Sequence, residues 1–185
     1  MSDIKSAWEI AQEKASKLGE LSAEEREEQR QDKCRLIGES LAEKYLSHRD
    51  IGFIEGELKK HTPQDKDLVS RAATRRLIQA LDLQYPAELT EISQGILALA
   101  NSHVTRETLD EIKGLFQEYA EAEDRERQEI DKAGKEMLHQ LRISGTAVGR
   151  LNIRSKKEWQ KKLDQTAKPF KVKFDHLKQE LLRDR

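Results

Sequence analysis

The most regular pattern in the sequence is a series of apolar residues that recur every three or four positions between residues 105 and 142. This spacing places the apolar side chains on one face of an α-helix. We therefore predict a single helix of 38 residues over 105–142. Its apolar face carries Leu109, Ile112, Phe116, Tyr119, Ile130 and Met137.

The predicted long helix is longer than the diameter of a compact domain of 185 residues. A straight helix of that length is about 57 Å long, whereas a compact chain of this size is about 40 Å across. Between its two apolar patches the register falls on Glu123 and Glu126, and unpaired carboxylates are costly to bury. We expect an exposed polar waist over 121–129, and a helix that protrudes, bends at Gly114 or Gly134, or pairs with another chain.

The rest of the chain has further helical patterns and helix-start signals. Ser22 with Glu25, and Ser155 with Glu158, form capping boxes. Proline breaks helices internally but suits their first turn, so Pro169 is expected to end one helix and begin the last. The segments predicted to be helical are 2–19, 23–45, 51–58, 65–83, 86–101, 155–168 and 169–181.

The fold class follows from these patterns. No stretch of useful length alternates apolar and polar residues as a half-buried strand does. Hydrophobic residues make up 36% of the chain, charged residues 37% and aromatic residues 5%, which is typical of thin helical layers. We predict an all-α protein, an irregular bundle of about seven or eight helices organised on the long helix.

Cysteine use and hydropathy indicate the compartment. Cys34 is the only cysteine, so the chain forms no intrachain disulfide and no cysteine-rich zinc site. The N-terminus lacks an apolar run of signal-peptide length, and no 18 consecutive residues are apolar. We expect a cytoplasmic protein without a membrane partner.

The charge is unevenly distributed along the chain. Residues 1–149 hold 22 Lys and Arg against 30 Asp and Glu, whereas residues 150–185 hold 12 against 5. We therefore predict an acidic helical body over 1–149, including the long helix, and a basic helical tail over 150–185 that packs on it. Both parts are expected to belong to one structural domain.

The basic tail is a candidate nucleic-acid or anion patch. Clustered cations bind phosphate backbones through counterion release, and an aromatic ring such as Trp159 can stack on a base. The alternative is that Trp159, Phe170 and Phe174 are core residues, while the cations form a solvated face or pair with the acidic body. The patch comprises Arg150, Arg154, Lys156, Lys157, Lys161, Lys162, Lys168, Lys171 and Lys173.

Glu136 and His139 are weak metal-ligand candidates. Their three-residue spacing places both side chains on one helical face, as in di-iron helical bundles. Such a site requires a second pair of this kind and two further glutamates, and the chain has no second pair. The alternative is an ordinary surface glutamate beside a half-buried histidine, so we predict no metal and no cofactor.

Other chemistry has little support in the sequence. There is no GxSxG motif and no GxxxxGK phosphate loop, and Cys34 has no neighbouring base. Glu57 and His61 are four residues apart but have no third ligand. We predict no catalytic residue and no small-molecule substrate.

Three functions remain open. The first is a non-enzymatic interaction or scaffold protein that binds another protein, or a second copy of itself, through helix faces. The apolar positions of the long helix would then form the partner face, unless they are simply the core of the bundle. The second is a nucleic-acid-binding module that uses the basic tail, and the third is a metal-dependent helical enzyme.

Overall fold

The computed structural model describes residues 22–143 and 156–183, and all regular structure in these two stretches is helical. The helices are α1 Ala23–His48, α2 Ile51–Leu58, α3 Pro63–Ala80, α4 Pro86–Leu99, α5 His103–Gln140 and α6 Lys157–Arg183. The predicted all-α class is therefore confirmed for the described part of the chain. The helix predicted over 2–19 lies outside the described residues.

The described residues contain six helices rather than seven or eight, partly because α6 continues through Pro169. The prediction that this proline separates two helices is wrong. Proline removes one backbone hydrogen bond from a helix, but apolar burial on both sides of it holds the helix together. Ala167 lies buried just before the proline, and Phe174 and Leu181 lie buried after it.

Side-chain caps set several helix boundaries. The predicted capping box at α1 is present, because Glu25 N donates to Ser22 Oγ at 3.1 Å and Ser22 N donates to Glu25 Oε2 at 2.7 Å. At α5, Thr105 N donates to Ser102 Oγ at 2.9 Å. This cap starts α5 two residues before the predicted position, and the helix keeps the predicted length of 38 residues.

The most extensive helix–helix contact joins α1 and α3, which run parallel. Arg30 pairs with Asp65 at 3.0 Å near the start of both helices, and Arg76 pairs with Glu43 at 2.6 Å near their ends. Between these pairs the backbones approach so closely at Gly38 that a Cβ atom there would overlap α3. The long helix instead packs mainly against α6 and also against α4, so it does not organise the whole bundle.

One hydrophobic core joins all six helices, and Tyr45 is buried in it. The Tyr45 hydroxyl donates to the Glu91 carbonyl oxygen at 2.6 Å, and Gly95 leaves room for the ring. Helix α5 contributes to this core as far as Tyr119. Farther along α5, Ile130 is buried outside the main core.

The polar waist of α5 is helical and largely exposed, as predicted. The helix runs without interruption through residues 121–129, where Glu123 and Glu126 are only half-buried. Arg127 pairs with Glu123 at 2.7 Å. Arg125 instead donates from Nε to the backbone oxygen of Glu121 at 3.3 Å.

Candidate interaction surfaces of the α5–α6 hairpin

Helices α5 and α6 form an antiparallel hairpin, here called the α5–α6 hairpin. The rings of Phe116 and Phe174 meet edge to face with centroids 5.5 Å apart, and those of Tyr119 and Phe170 lie 5.4 Å apart. Because the paired residue numbers rise on one helix and fall on the other, the two helices run in opposite directions. The aromatic pairs fix the register of one helix against the other.

Lys178 ties the hairpin to the body. Its ammonium group donates to the carbonyl oxygens of Gln79 at 3.3 Å and Leu81 at 2.9 Å, at the C-terminal end of α3. A cation is favourable there because the last carbonyls of a helix carry partial negative charge. Burial lowers the pKa of Lys178, against the opposing influence of Asp175 and Asp82.

Most of the predicted partner face is internal to the chain. Leu109, Ile112 and Phe116 are buried in the main core, and Tyr119 packs against it. Ile130 is also buried, and only Met137, at 42% exposure, is open. The first four positions therefore pack the hairpin against its own body. A helical stripe predicts that residues are buried, but it does not predict which surface covers them.

The described cations of the predicted basic patch are mostly exposed. Arg150 and Arg154 lie outside the described residues. Lys156 is half-buried, with Nζ 2.9 Å from the Met137 sulfur and 4.9 Å from the centre of the Trp159 ring. No ion pair with a described carboxylate forms at Lys157, Lys161, Lys162, Lys168, Lys171 or Lys173.

Four of these lysines form a row that we call the lysine ridge: Lys157, Lys161, Lys168 and Lys171. At about 100° per residue they fall within roughly 80° of one another around the α6 axis, and the row is about 21 Å long. Lys162 and Lys173 project on another side of the helix. The six lysines thus form two basic surfaces rather than one.

The metal-ligand candidates do not converge with other ligands. Glu136 and His139 are both exposed near the end of α5. Within residues 22–143 and 156–183, no group of three or more His, Cys, Asp or Glu side chains is arranged to hold a metal ion. His61 Nε2 lies 4.0 Å from Glu57 Oε1. This pair has no third ligand in the described part of the chain.

Cys34 is buried beside a carboxylate rather than a histidine, and a carboxylate is a weak base. Its thiol lies 3.6 Å from Asp65 Oδ1. Burial, followed by the nearby Asp65 carboxylate, raises the pKa of the Cys34 thiol. Because the thiolate is the reactive form of cysteine, this position favours a structural role.

A groove of about 610 Å³ runs along the solvent side of the hairpin, and we call it the outer groove. Its apolar part consists of Gly114, Leu115, Val172 and Leu177. Val172 is 71% exposed, which is the highest value among the large apolar residues in the described chain. The charged and polar residues along the groove are Glu111, Glu118, Lys173 and His176.

Sequence reasoning missed the outer groove because most of its apolar residues lie off the main helical stripes. Two signals pointed to it. Val172 interrupts a lysine-rich stretch with a β-branched apolar residue, and Gly114 occupies the interior of a helix, where glycine is unfavourable. Neither residue contributes to the main core.

No known protein family, curated protein or solved structure matches this chain. None of the helices described here is both long enough and apolar enough to cross a bilayer. The surfaces of the α5–α6 hairpin are therefore the features of this chain that indicate a function.

Proposed function

We propose that this chain is a non-enzymatic helical interaction protein that binds a macromolecular partner along the solvent side of the α5–α6 hairpin. The observation that carries this proposal is the outer groove, where Val172 is 71% exposed beside the buried Leu115 and the half-buried Leu177. A groove with an apolar floor and charged edges is typical of a binding surface. The hairpin is also firmly held by its aromatic pairs and Lys178, so it presents this surface as a rigid unit.

The distribution of reactive side chains supports a binding role over catalysis. The candidate groups Cys34, His61 and His139 lie on three different helices or their ends, and none belongs to a described group of three or more side chains that could hold a metal ion. A catalytic site generally requires a nucleophile or ligand within hydrogen-bond reach of a base or a metal.

The proposal is tested by affinity purification from the native host, with Val172→Glu as the key variant. A charge at an exposed position leaves the fold intact but opposes an apolar contact. The native chain should retain a stoichiometric partner or a second copy that Val172→Glu loses. Leu36→Glu is the matched control, because Leu36 is 58% exposed on α1 and should leave binding unchanged. Equal recovery by all three proteins, or no partner at all, contradicts the proposal.

A second candidate function is nucleic-acid binding through the lysine ridge. The observation that favours it is the absence of ion pairs between these lysines and the described carboxylates, which leaves their charge available to phosphates. Helix α6 also has an excess of cations, with eight Lys and Arg against four Asp and Glu.

Salt dependence tests this second candidate. If the ridge neutralises four duplex phosphates, changing Lys157, Lys161, Lys168 and Lys171 together to Gln should reduce the log–log salt slope by about 3.6. The control carries the same charge change at four other exposed lysines: Lys59, Lys66, Lys113 and Lys132. Absence of DNA and RNA binding by the native chain at low salt, or equal effects of both variants, excludes the ridge as a nucleic-acid site.

A further inference from the structure

The charges beside the outer groove are segregated by helix. The α5 side carries Glu111 and Glu118, whereas the α6 side carries Lys173. All three are exposed, and none forms an ion pair with another described residue. A surface with acids on one side and a base on the other is complementary to a rotated copy of itself.

Leu115 and Leu177 belong to the edge of the main core, whereas Gly114 and Val172 in the same groove have no packing role inside the described chain. A Cβ atom added at Gly114 would meet nothing within 4 Å, so close packing inside the chain does not require glycine there. Glycine in a helix interior weakens the helix, but it allows another backbone to approach closely. Val172, across the groove, is 71% exposed.

The register of the hairpin brings the opposite charges to the same height. Phe116 faces Phe174, and Tyr119 faces Phe170, so Glu118 lies almost level with Lys173. A two-fold axis parallel to the helices would therefore stack α5 of one copy on α6 of the other and place each Glu118 opposite the second copy's Lys173. A two-fold axis across the helices would instead place α5 on α5, with acids facing acids.

We propose that the outer groove is the interface of a symmetric homodimer, with a two-fold axis parallel to α5 and α6. This inference rests on the proposed function, because it names a second copy of the chain as the partner. Two helices about 20 Å wide, in contact over about 30 Å, would bury about 1,200 Å² in total, which is at the lower end for specific interfaces. A dimer that depends on concentration is therefore expected.

Charge exchange tests the interface, with molar mass measured by light scattering over a range of concentrations. Glu118→Lys and Lys173→Glu each replace two ion pairs with two like-charge contacts, so each alone should raise the dimer dissociation constant at least about tenfold. An equimolar mixture of the two variants restores both ion pairs and should restore the dimer. Glu28→Lys and Lys59→Glu are controls with the same charge changes at exposed positions on α1 and just after α2.

The possible outcomes separate this inference from the proposed function. Restoration of twice the 21.4 kDa chain mass only in the mixture supports the inference. A native chain that is monomeric at every concentration, a dimer insensitive to both changes, or a mixture that stays monomeric overturns it. If the native chain is monomeric but retains a different partner that Val172→Glu loses, the dimer is excluded and the proposed function remains.

Discussion

At the scale of single residues, the glycines inside helices differ in whether another part of the chain packs against them. Gly38 and Gly95 lie where another helix or the Tyr45 ring leaves no room for a side chain. Gly114 lies where nothing inside the described chain approaches. The sequence identifies these residues as glycines in helices, but only the packing shows that two serve the fold and that the third faces the outer groove.

Changing Tyr45 to Phe should lower the free energy of unfolding at neutral pH. It should also make that free energy less sensitive to alkaline pH. The variant loses the hydrogen bond to the Glu91 carbonyl, which typically costs about 1 kcal/mol. Burial raises the pKa of Tyr45 above its ordinary value, so the folded protein holds this proton more tightly than the unfolded chain. The stability linked to that proton is present below about pH 10 and is lost as the pH rises further.

Urea denaturation of the native chain and Tyr45→Phe, at neutral pH and above about pH 10, checks this prediction. The difference in free energy of unfolding between the two proteins should be smaller at the higher pH. Tyr85→Phe is the control, because Tyr85 is 60% exposed and should change stability little. A constant gap at both pH values would argue against a raised pKa.

At the scale of helices, sequence periodicity predicted the elements well and their neighbours poorly. The stripe from Leu109 to Tyr119 predicted the long helix to within two residues at each end, because that spacing depends only on helix geometry. It did not predict whether the stripe faces the body or a partner, because either surface produces the same pattern. The prediction of a helix break at Pro169 was wrong because local propensity does not include the burial of Ala167 and Phe174.

Replacing Pro169 with Ala should stabilise the fold, because α6 already runs through this position. An interior proline costs a helix up to about 3 kcal/mol relative to alanine. Pro63→Ala is the matched control, because Pro63 occupies the first turn of α3, where proline costs little. A rise in the urea midpoint for Pro169→Ala alone is expected, and a fall would indicate that α6 depends on the proline.

Lys178→Met should loosen the attachment of α6 to the body. The variant keeps most of the apolar stem but removes both hydrogen bonds to the end of α3. A hydrogen bond to a charged group contributes about 1.5–3 kcal/mol, so a loss of that order in the free energy of unfolding is expected. Lys171→Met, at an exposed position on the same helix, should have little effect. Equal changes in the free energy of unfolding of both variants would show that the Lys178 hydrogen bonds contribute nothing specific.

At the scale of the whole molecule, the two faces of the α5–α6 hairpin divide structural and binding roles. One face joins the main core through Phe116 and Phe174, and the other carries the outer groove. The predicted polar waist and the exposed lysines of α6 could be derived from composition and register. The groove could not, because it forms only where Leu115 and Val172 from distant parts of the chain lie side by side.

The claim that the outer groove is a binding surface is tested most directly by site-specific photo-cross-linking in the native host. A benzophenone amino acid replaces Val172 in one protein and Leu36 in the control, since both side chains are largely exposed. We expect a discrete covalent adduct, with a second copy or another macromolecule, from position 172 and not from position 36. No adduct from position 172, or the same adducts from both positions, would contradict it.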